Sequence, residues 1–273
     1  MKRLLFAVLF APSVIADSLS DIEWSVQASL YQCDIRAELP YKNLEMLISA
    51  VPEEPMSLTV LSRGFELFDN DASLSISTPY WVEKGSRAVH AVTINEHGVD
   101  SIYSTDDIEH ALEQLKDGFW LTLHDGTKAI EFPSIDMGAL AVEFRQCQDS
   151  MPLMKYESAK DVDLWFDSAG HRSLASGNAD GIIVSLASVV LKDKSVVKVL
   201  IDGHTDSLGD EIDNLELSHK RASYVAMQLV DRGIPVDKIE IRAHGERYPE
   251  FTNKTKEGRQ KNRRVNVRLV KSQ

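Results

Sequence analysis

The stretch richest in usable chemistry is 202–221. It runs Asp202-Gly203-His204-Thr205-Asp206-Ser207-Leu208-Gly209, then Asn214, then Leu217-Ser218-His219-Lys220-Arg221-Ala222. Asp206 follows a β-branched run that reads as a buried strand, and Arg221 is expected in the first turn of a helix capped by Ser218. An arginine there is unusual, because the partial positive charge of a helix N-terminus favours acids. A residue that accepts this penalty points to an anionic partner. A carboxylate and a guanidinium at one sheet edge can hold a zwitterion. Asp206 would receive an ammonium, and Arg221 would grip a carboxylate through two parallel hydrogen bonds, helped by the helix N–H groups. A plain structural Asp206–Arg221 salt bridge fits the same spacing, and spacing alone does not choose between them.

Other chemistry is thinner. The chain has eight histidines but no His-Glu-x-x-His, no Gly-x-Ser-x-Gly and no phosphate-cradling glycine loop. No catalytic residue and no cofactor is therefore assigned. His204 stands two residues before Asp206, but no third metal ligand is in register, so it reads as a histidine satisfied at a strand end. Asp69-Asn70-Asp71 resembles the start of a calcium loop. It lacks the glycine at position six and the glutamate at position twelve, and reads as a turn.

The elements around 202–221 alternate in type. Leu164-Trp165-Phe166 is a short apolar strand, and 174–191 reads as a helix with Ile182, Ile183, Leu186, Val189 and Val190 on one stripe. A buried strand follows at 196–201. The helix that starts at Ser218 turns Ala222, Val225, Ala226, Leu229 and Val230 inward, until Gly233 ends it and Pro235 prevents its return. Strands at 238–243 and 264–270 complete a βαβαββ order, the latter with Val265, Val267 and Leu269 inward. That order predicts an α/β sandwich with helices on one sheet face.

The first half reads as β-rich. Ile22, Trp24 and Val26 alternate with polar residues, as do Leu74 and Ile76, Val92 and Ile94, and Ile130 and Phe132. One helix stands out at 105–117, with Ile108, Ala111, Leu112 and Leu115 on one face, Ser104 or Thr105 as cap and Gly118 as stop. This predicts a barrel or sandwich with a single packed helix, in an α+β chain overall.

Charge divides the chain in the same way. Residues 17–157 carry 25 acidic and 9 basic side chains, and residues 158–273 carry 17 and 19. Such asymmetry in 273 residues suggests two domains with different partners, 17–150 and 158–273, parted near Asp149-Ser150-Met151-Pro152. The net charge of −12 argues against a general nucleic-acid binder, although eight Lys and Arg fall between 254 and 273. Lys2-Arg3, the apolar run 4–11 and small residues ahead of Asp17 form the pattern of a secretory signal peptide over 1–16. No spanning helix is expected after it. Ten-residue alternating strands with aromatic girdles are also missing, which disfavours a transmembrane barrel. Cys33 and Cys147 in an exported chain are most simply one disulfide, with two buried thiols as the alternative.

Residues 158–271 resemble the OmpA C-terminal domain family. The matching pieces are Gly203-His204-Thr205-Asp206, Asn214, Leu217-Ser218, Arg221-Ala222, Gly233 and Ala243-His244-Gly245-Glu246. They continue through Pro249, Asn253-Lys254-Thr255, Glu257-Gly258-Arg259 and Asn262-Arg263-Arg264-Val265. The resemblance implies non-covalent binding of peptidoglycan through the meso-diaminopimelate of its stem peptide. Asp206 and Arg221 would be the gripping pair, with Thr205, Asn214, Leu217 and Arg264 lining or bracing the pocket. His244 departs from the aromatic or aliphatic residue more usual there. Trp24, the two cysteines and Lys155-Tyr156 resemble the layout of sodium-driven flagellar motor proteins of the MotY type. That layout implies a periplasmic protein at the flagellar basal body that anchors stator units through MotX-like partners. A general cell-wall tether without a motor role is the alternative.

Overall fold

The computed structural model describes residues 22–39, 43–63, 72–79, 81–82, 89–125, 128–167, 170–172, 174–175 and 177–272. The expected signal peptide and the Asp69-Asn70-Asp71 turn lie outside the described residues. The described residues fall into two compact units, one drawn from those within 22–26, 35–48 and 56–142 and one from those within 27–34, 49–55 and 143–272. No described helix is long and apolar enough to cross a membrane.

The first part of the chain forms strands β1 (Glu23–Ala28), β2 (Cys33–Leu39), β3 (Leu44–Ala50), β4 (Ser57–Ser62), β5 (Ser73–Ser77), β6 (Val89–Val92), β7 (Glu96–His97) and β8 (Ser101–Ser104). After them come helix α1 (Ile108–Lys116), β9 (Trp120–Asp125), β10 (Lys128–Phe132) and helix α2 (Met137–Ser150). The strands make a six-stranded sheet, β1-β2-β3-β4-β8-β7, and a four-stranded sheet, β10-β9-β5-β6. Period-two alternation sets the register of the core. Leu74 pairs with Leu123 and Ile76 with Leu121, while Ile130 and Phe132 meet the same two leucines from β10. On β3 the buried Glu45 receives both Arg36 and Arg63, so its charge is paired.

Of the barrel or sandwich expected for this half, the barrel alternative falls, and so does the single helix. No barrel closes among the described strands, since each sheet ends in two edge strands. The helix count is also higher than one, because α2 joins α1. Met137, Ala141, Phe144 and Cys147 form a buried stripe on α2 at spacings of four and three, the signal that could have revealed it. Helix α1 buries the four expected residues, and Gly118, at φ 91, ends it. Its N-cap is Asp107, at φ 58, and not Ser104 or Thr105. Ser104 belongs to β8, and the Thr105 amide and hydroxyl both donate to Asn95 Oδ1.

The rest of the chain forms α3 (Tyr156–Ala159), β11 (Asp161–Trp165), α4 (Ala179–Lys192), β12 (Val196–His204), α5 (Glu211–Val230), β13 (Ile239–Gly245), α6 (Lys256–Asn262) and β14 (Arg264–Lys271). The sheet order is β11-β14-β12-β13, with β12 and β13 parallel and the other pairs antiparallel. Val199 pairs with Leu269 and Ile201 with Val267. These inward residues share one core with Ile183, Leu186 and Val190 of α4 and Ala222, Val225 and Leu229 of α5. Both helices therefore cover the same sheet face, as the βαβαββ order predicts, with α3 and α6 as unanticipated short helices. Helix α4 starts at Ala179 and not at 174, because Leu174 bridges Phe166.

Helix α5 differs most from expectation. It begins at Glu211, seven residues before Ser218. Asp210 caps it by accepting from the Ile212 amide at 2.8 Å, and Glu211 and Asp213 suit the helix dipole. Ser218 instead lies mid-helix, where its hydroxyl donates to Leu215 O at 2.8 Å and accepts from the Gly245 amide at 3.0 Å. Gly203 is needed opposite it, since a Cβ there would stand 2.1 Å from Ser218 O.

The second unit also takes in the segments 27–34 and 49–55. Cys33 and Cys147 are bonded, with their Cα atoms 6.0 Å apart. Tyr31 donates to Asp193 at 2.7 Å, and Lys271 reaches the same carboxylate at 3.0 Å. Burial alone would raise the Asp193 carboxyl, but hydrogen bonds from Ser195, Tyr31 and Lys271 hold it at about 2.

Candidate functional site

Strand β12 ends at His204 and delivers Thr205 and Asp206 into the turn before α5. The Thr205 amide donates to Gly245 O at 2.8 Å, which ties this turn to the end of β13. Asp206 is buried. Its Oδ1 accepts from the Leu208 amide at 3.0 Å, and its Oδ2 pairs with Arg263 Nη1 at 2.7 Å.

Arg221 sits in the middle of α5, so the helix-terminus argument for its anionic partner does not apply. Its environment supplies a different argument. The side chain is 0% exposed and lies over the Phe166 ring at 5.3 Å. Nε donates to Gly170 O at 3.0 Å, while Nη1 and Nη2 lean on His204 O and Asp167 O at 3.4 Å each. A guanidinium carries five N–H donors, and these carbonyls engage one on each nitrogen. No ion pair to a carboxylate is formed by Arg221 among the described residues. Burial, then the nearby Arg263 charge, push its pKa down to about 10, opposed by Asp206.

Arg263 and Asp206 act on Arg221 with opposite sign, and Asp206 itself is paired to Arg263. The Thr205 hydroxyl, next to Asp206 in sequence, is buried and has no hydrogen-bond partner among the described residues. A ligand carboxylate would give Arg221 an anion, and a ligand ammonium could share Asp206 with Arg263.

The remaining predicted residues spread outward. Asn214, on the first turns of α5, donates to Glu246 Oε2 at 3.0 Å, just past β13. Leu217 is half-buried one turn before Arg221. Arg264 occupies the sheet face opposite to Val265 and Val267, where it pairs with Glu250 at 2.8 Å. Arg263 is the site residue that spacing did not reveal. It lies 57 positions from Asp206, and only the register that pairs Gly203 with Val265 brings it there. No group of three or more His, Cys, Asp or Glu able to hold a metal occurs among the described residues.

Residues 173–263 match the OmpA family. The chain is 46% identical over 70 residues to the outer-membrane lipoprotein YfiB of Pseudomonas aeruginosa, covering 26% of this chain and 42% of YfiB. It is 42% identical over 89 residues to the peptidoglycan-binding protein ArfA of Mycobacterium tuberculosis, covering 33% of this chain and 27% of ArfA. It is 31% identical over 91 residues to the sodium-type flagellar protein MotY of Vibrio parahaemolyticus, covering 33% of this chain and 31% of MotY. The chain thus spans less than half the length of each of these relatives. The matched segment contains Thr205, Asp206, Asn214, Leu217, Arg221 and Arg263, and residues 173–263 are an OmpA family domain.

Proposed function

We propose that the chain is a non-catalytic periplasmic protein that holds peptidoglycan through 158–273. In this reading 17–150 supplies protein contacts at the flagellar basal body, where the protein anchors or recruits stator units through a MotX-like partner. The observation that carries the wall-binding part is the buried Arg221, which forms no ion pair to a carboxylate among the described residues yet adjoins the Asp206–Arg263 pair. The free end of diaminopimelate offers an ammonium for Asp206 and a carboxylate for Arg221. The similarity to ArfA, peptidoglycan-binding by name, supports the same ligand. Asp206→Ala and Arg221→Ala are each expected to abolish co-sedimentation with purified peptidoglycan in a folded protein, a loss of ~2–5 kcal/mol. Wild-type sedimentation of the double variant would refute the site.

The motor part draws support from the similarity to MotY. Two weak attachments on separate segments would raise residence by effective concentration, so neither half alone should hold a stator. Deleting the gene should leave flagella assembled but cells poorly motile. An exported 17–150 fragment should reach the basal body, and 158–273 should spread around the envelope. YfiB and ArfA favour a second reading, a cell-wall tether for envelope integrity without a motor role. Normal swimming with a damaged envelope would select that reading.

A further inference from the structure

The sheet face turned away from α4 and α5 carries a polar cavity of about 600 Å³. That volume lies in the range of small-molecule sites. Strand alternation sends Asp163, Asp202 and Arg264 toward it, while Leu164, Ile201 and Val265 enter the core.

Arg264 is the anomaly. It is 3% exposed, and its Nη2 donates to Glu250 at 2.8 Å. Its Nε stands 3.7 Å from Asp163, beyond hydrogen-bond distance, and both Nε and Nη1 lack an acceptor among the described residues. Buried donors in folded proteins almost always find one, so two free edges on one buried guanidinium point to acceptors from outside the chain. A second anomaly sits at the rim. Tyr248 has φ 58, a left-handed backbone that bulky side chains rarely adopt, and it is 72% exposed. Its ring stands edge-on to His244 at 5.7 Å. Strained non-glycine residues of this kind concentrate at ligand clamps.

Charge decides the ligand class. Four carboxylates line the cavity, from Asp161, Asp163, Asp202 and Glu250, against three guanidiniums, from Arg242, Arg264 and Arg268. The carboxylate excess repels an anion. Arg264, which holds the free donors, repels a cation. A neutral ligand whose groups both accept and donate suits the mixture, because a hydroxyl takes an N–H from Arg264 and gives its O–H to a carboxylate. The exposed Tyr248 ring adds a flat apolar surface with a polar tip.

We propose that this cavity is a saccharide-binding site for an uncharged, hydroxyl-rich sugar, with Tyr248 as the stacking platform and Arg264 beside Asp163 as the hydrogen-bonding pair. The site is separate from Asp206 and Arg221 and does not rest on the peptidoglycan reading. The test is calorimetric titration of the full mature chain with chitotetraose and with maltotetraose. Saturable binding is expected, weakened at least about tenfold by Tyr248→Ala and by Arg264→Lys. Preference for chitotetraose assigns an N-acetylated amino-sugar glycan as the source, and preference for maltotetraose a neutral hexose polymer. Tyr248 is exposed, so its alanine variant reads the site even if Arg264→Lys does not fold. No saturable heat with either sugar, or binding untouched by Tyr248→Ala, overturns the proposal. Sedimentation of Asp206 and Arg221 variants with peptidoglycan is an independent readout.

Discussion

Asp202 and Asp206 stand four positions apart at the end of one strand, and both are buried, but their surroundings differ in kind. Asp202 accepts from Arg242 at 2.5 Å, His244 at 2.7 Å and Arg268 at 2.9 Å. Burial alone would raise its carboxyl, and these bonds outweigh burial and hold it at about 2. Asp206 has one cationic partner, Arg263, while the nearby Arg221 turns to backbone carbonyls. In the first cluster the carboxylate has all the cations it can use. In the second, among the described residues, a buried guanidinium pairs with no carboxylate and a threonine hydroxyl has no partner. The difference is one of pairing: the Asp202 carboxylate is shared by three side chains, whereas the Arg221 guanidinium meets only backbone carbonyls.

Stability and wall binding should therefore respond to different residues. The largest stability effect is expected from the disulfide, which spans 114 positions. Cys33→Ser should lower unfolding stability by up to ~4–5 kcal/mol in the chain-entropy account, read by urea denaturation, with peptidoglycan sedimentation kept in the folded fraction. Next comes Asp202→Asn, which leaves Arg242, His244 and Arg268 without their shared anion. Because both arginines are partly exposed, the loss should fall near the lower end for such pairs, about 3 kcal/mol, again without loss of sedimentation. Loss of sedimentation in a folded Asp202→Asn protein would break the comparison.

A smaller effect is tied to pH. Burial, followed by the Arg264 charge, pushes His204 down to about 4. Between its ordinary value of 6.5 and 4 the unfolded chain binds a proton that the folded chain refuses. The stability present above pH 6.5 is therefore lost as pH falls toward 4, by about 2–3 kcal/mol. The melting temperature should drop between pH 7 and pH 4.5, and His204→Gln should flatten that slope. The smallest effect sharpens the comparison most. Thr205→Val removes a buried hydroxyl that has no partner among the described residues, so stability should stay level or rise by up to ~1 kcal/mol while sedimentation weakens. A destabilised Thr205→Val protein with full wall binding would reverse the assignment.

The strands of the second unit were legible because Val265, Val267 and Leu269 alternate without interruption, and α1 because its four apolar residues share one stripe. The start of α5 was hidden. Its first turns expose Ile212 and Leu215 and bury Asn214, so no apolar stripe announces them. Helix α2 was obscured for a related reason, with Val142 exposed between its buried positions. Chemistry and position put Asp206 and Arg221 forward and the resemblance chose the gripping role for them, but nothing local in the sequence pairs Asp206 with Arg263 or sets Arg264 on the opposite sheet face. Both facts follow from strand register, which is fixed by pairing across the sheet.

The proposed wall grip turns on Arg221 meeting a ligand carboxylate. Its most direct test is the affinity of the mature protein for a diaminopimelate-containing stem peptide with the free-end carboxylate intact or converted to its amide. Loss of a hydrogen-bonded charge should weaken binding by about 1.5–3 kcal/mol, roughly tenfold to a hundredfold, and Arg221→Lys should narrow the gap between the two peptides. Equal affinity of the wild-type protein for both peptides would contradict the account.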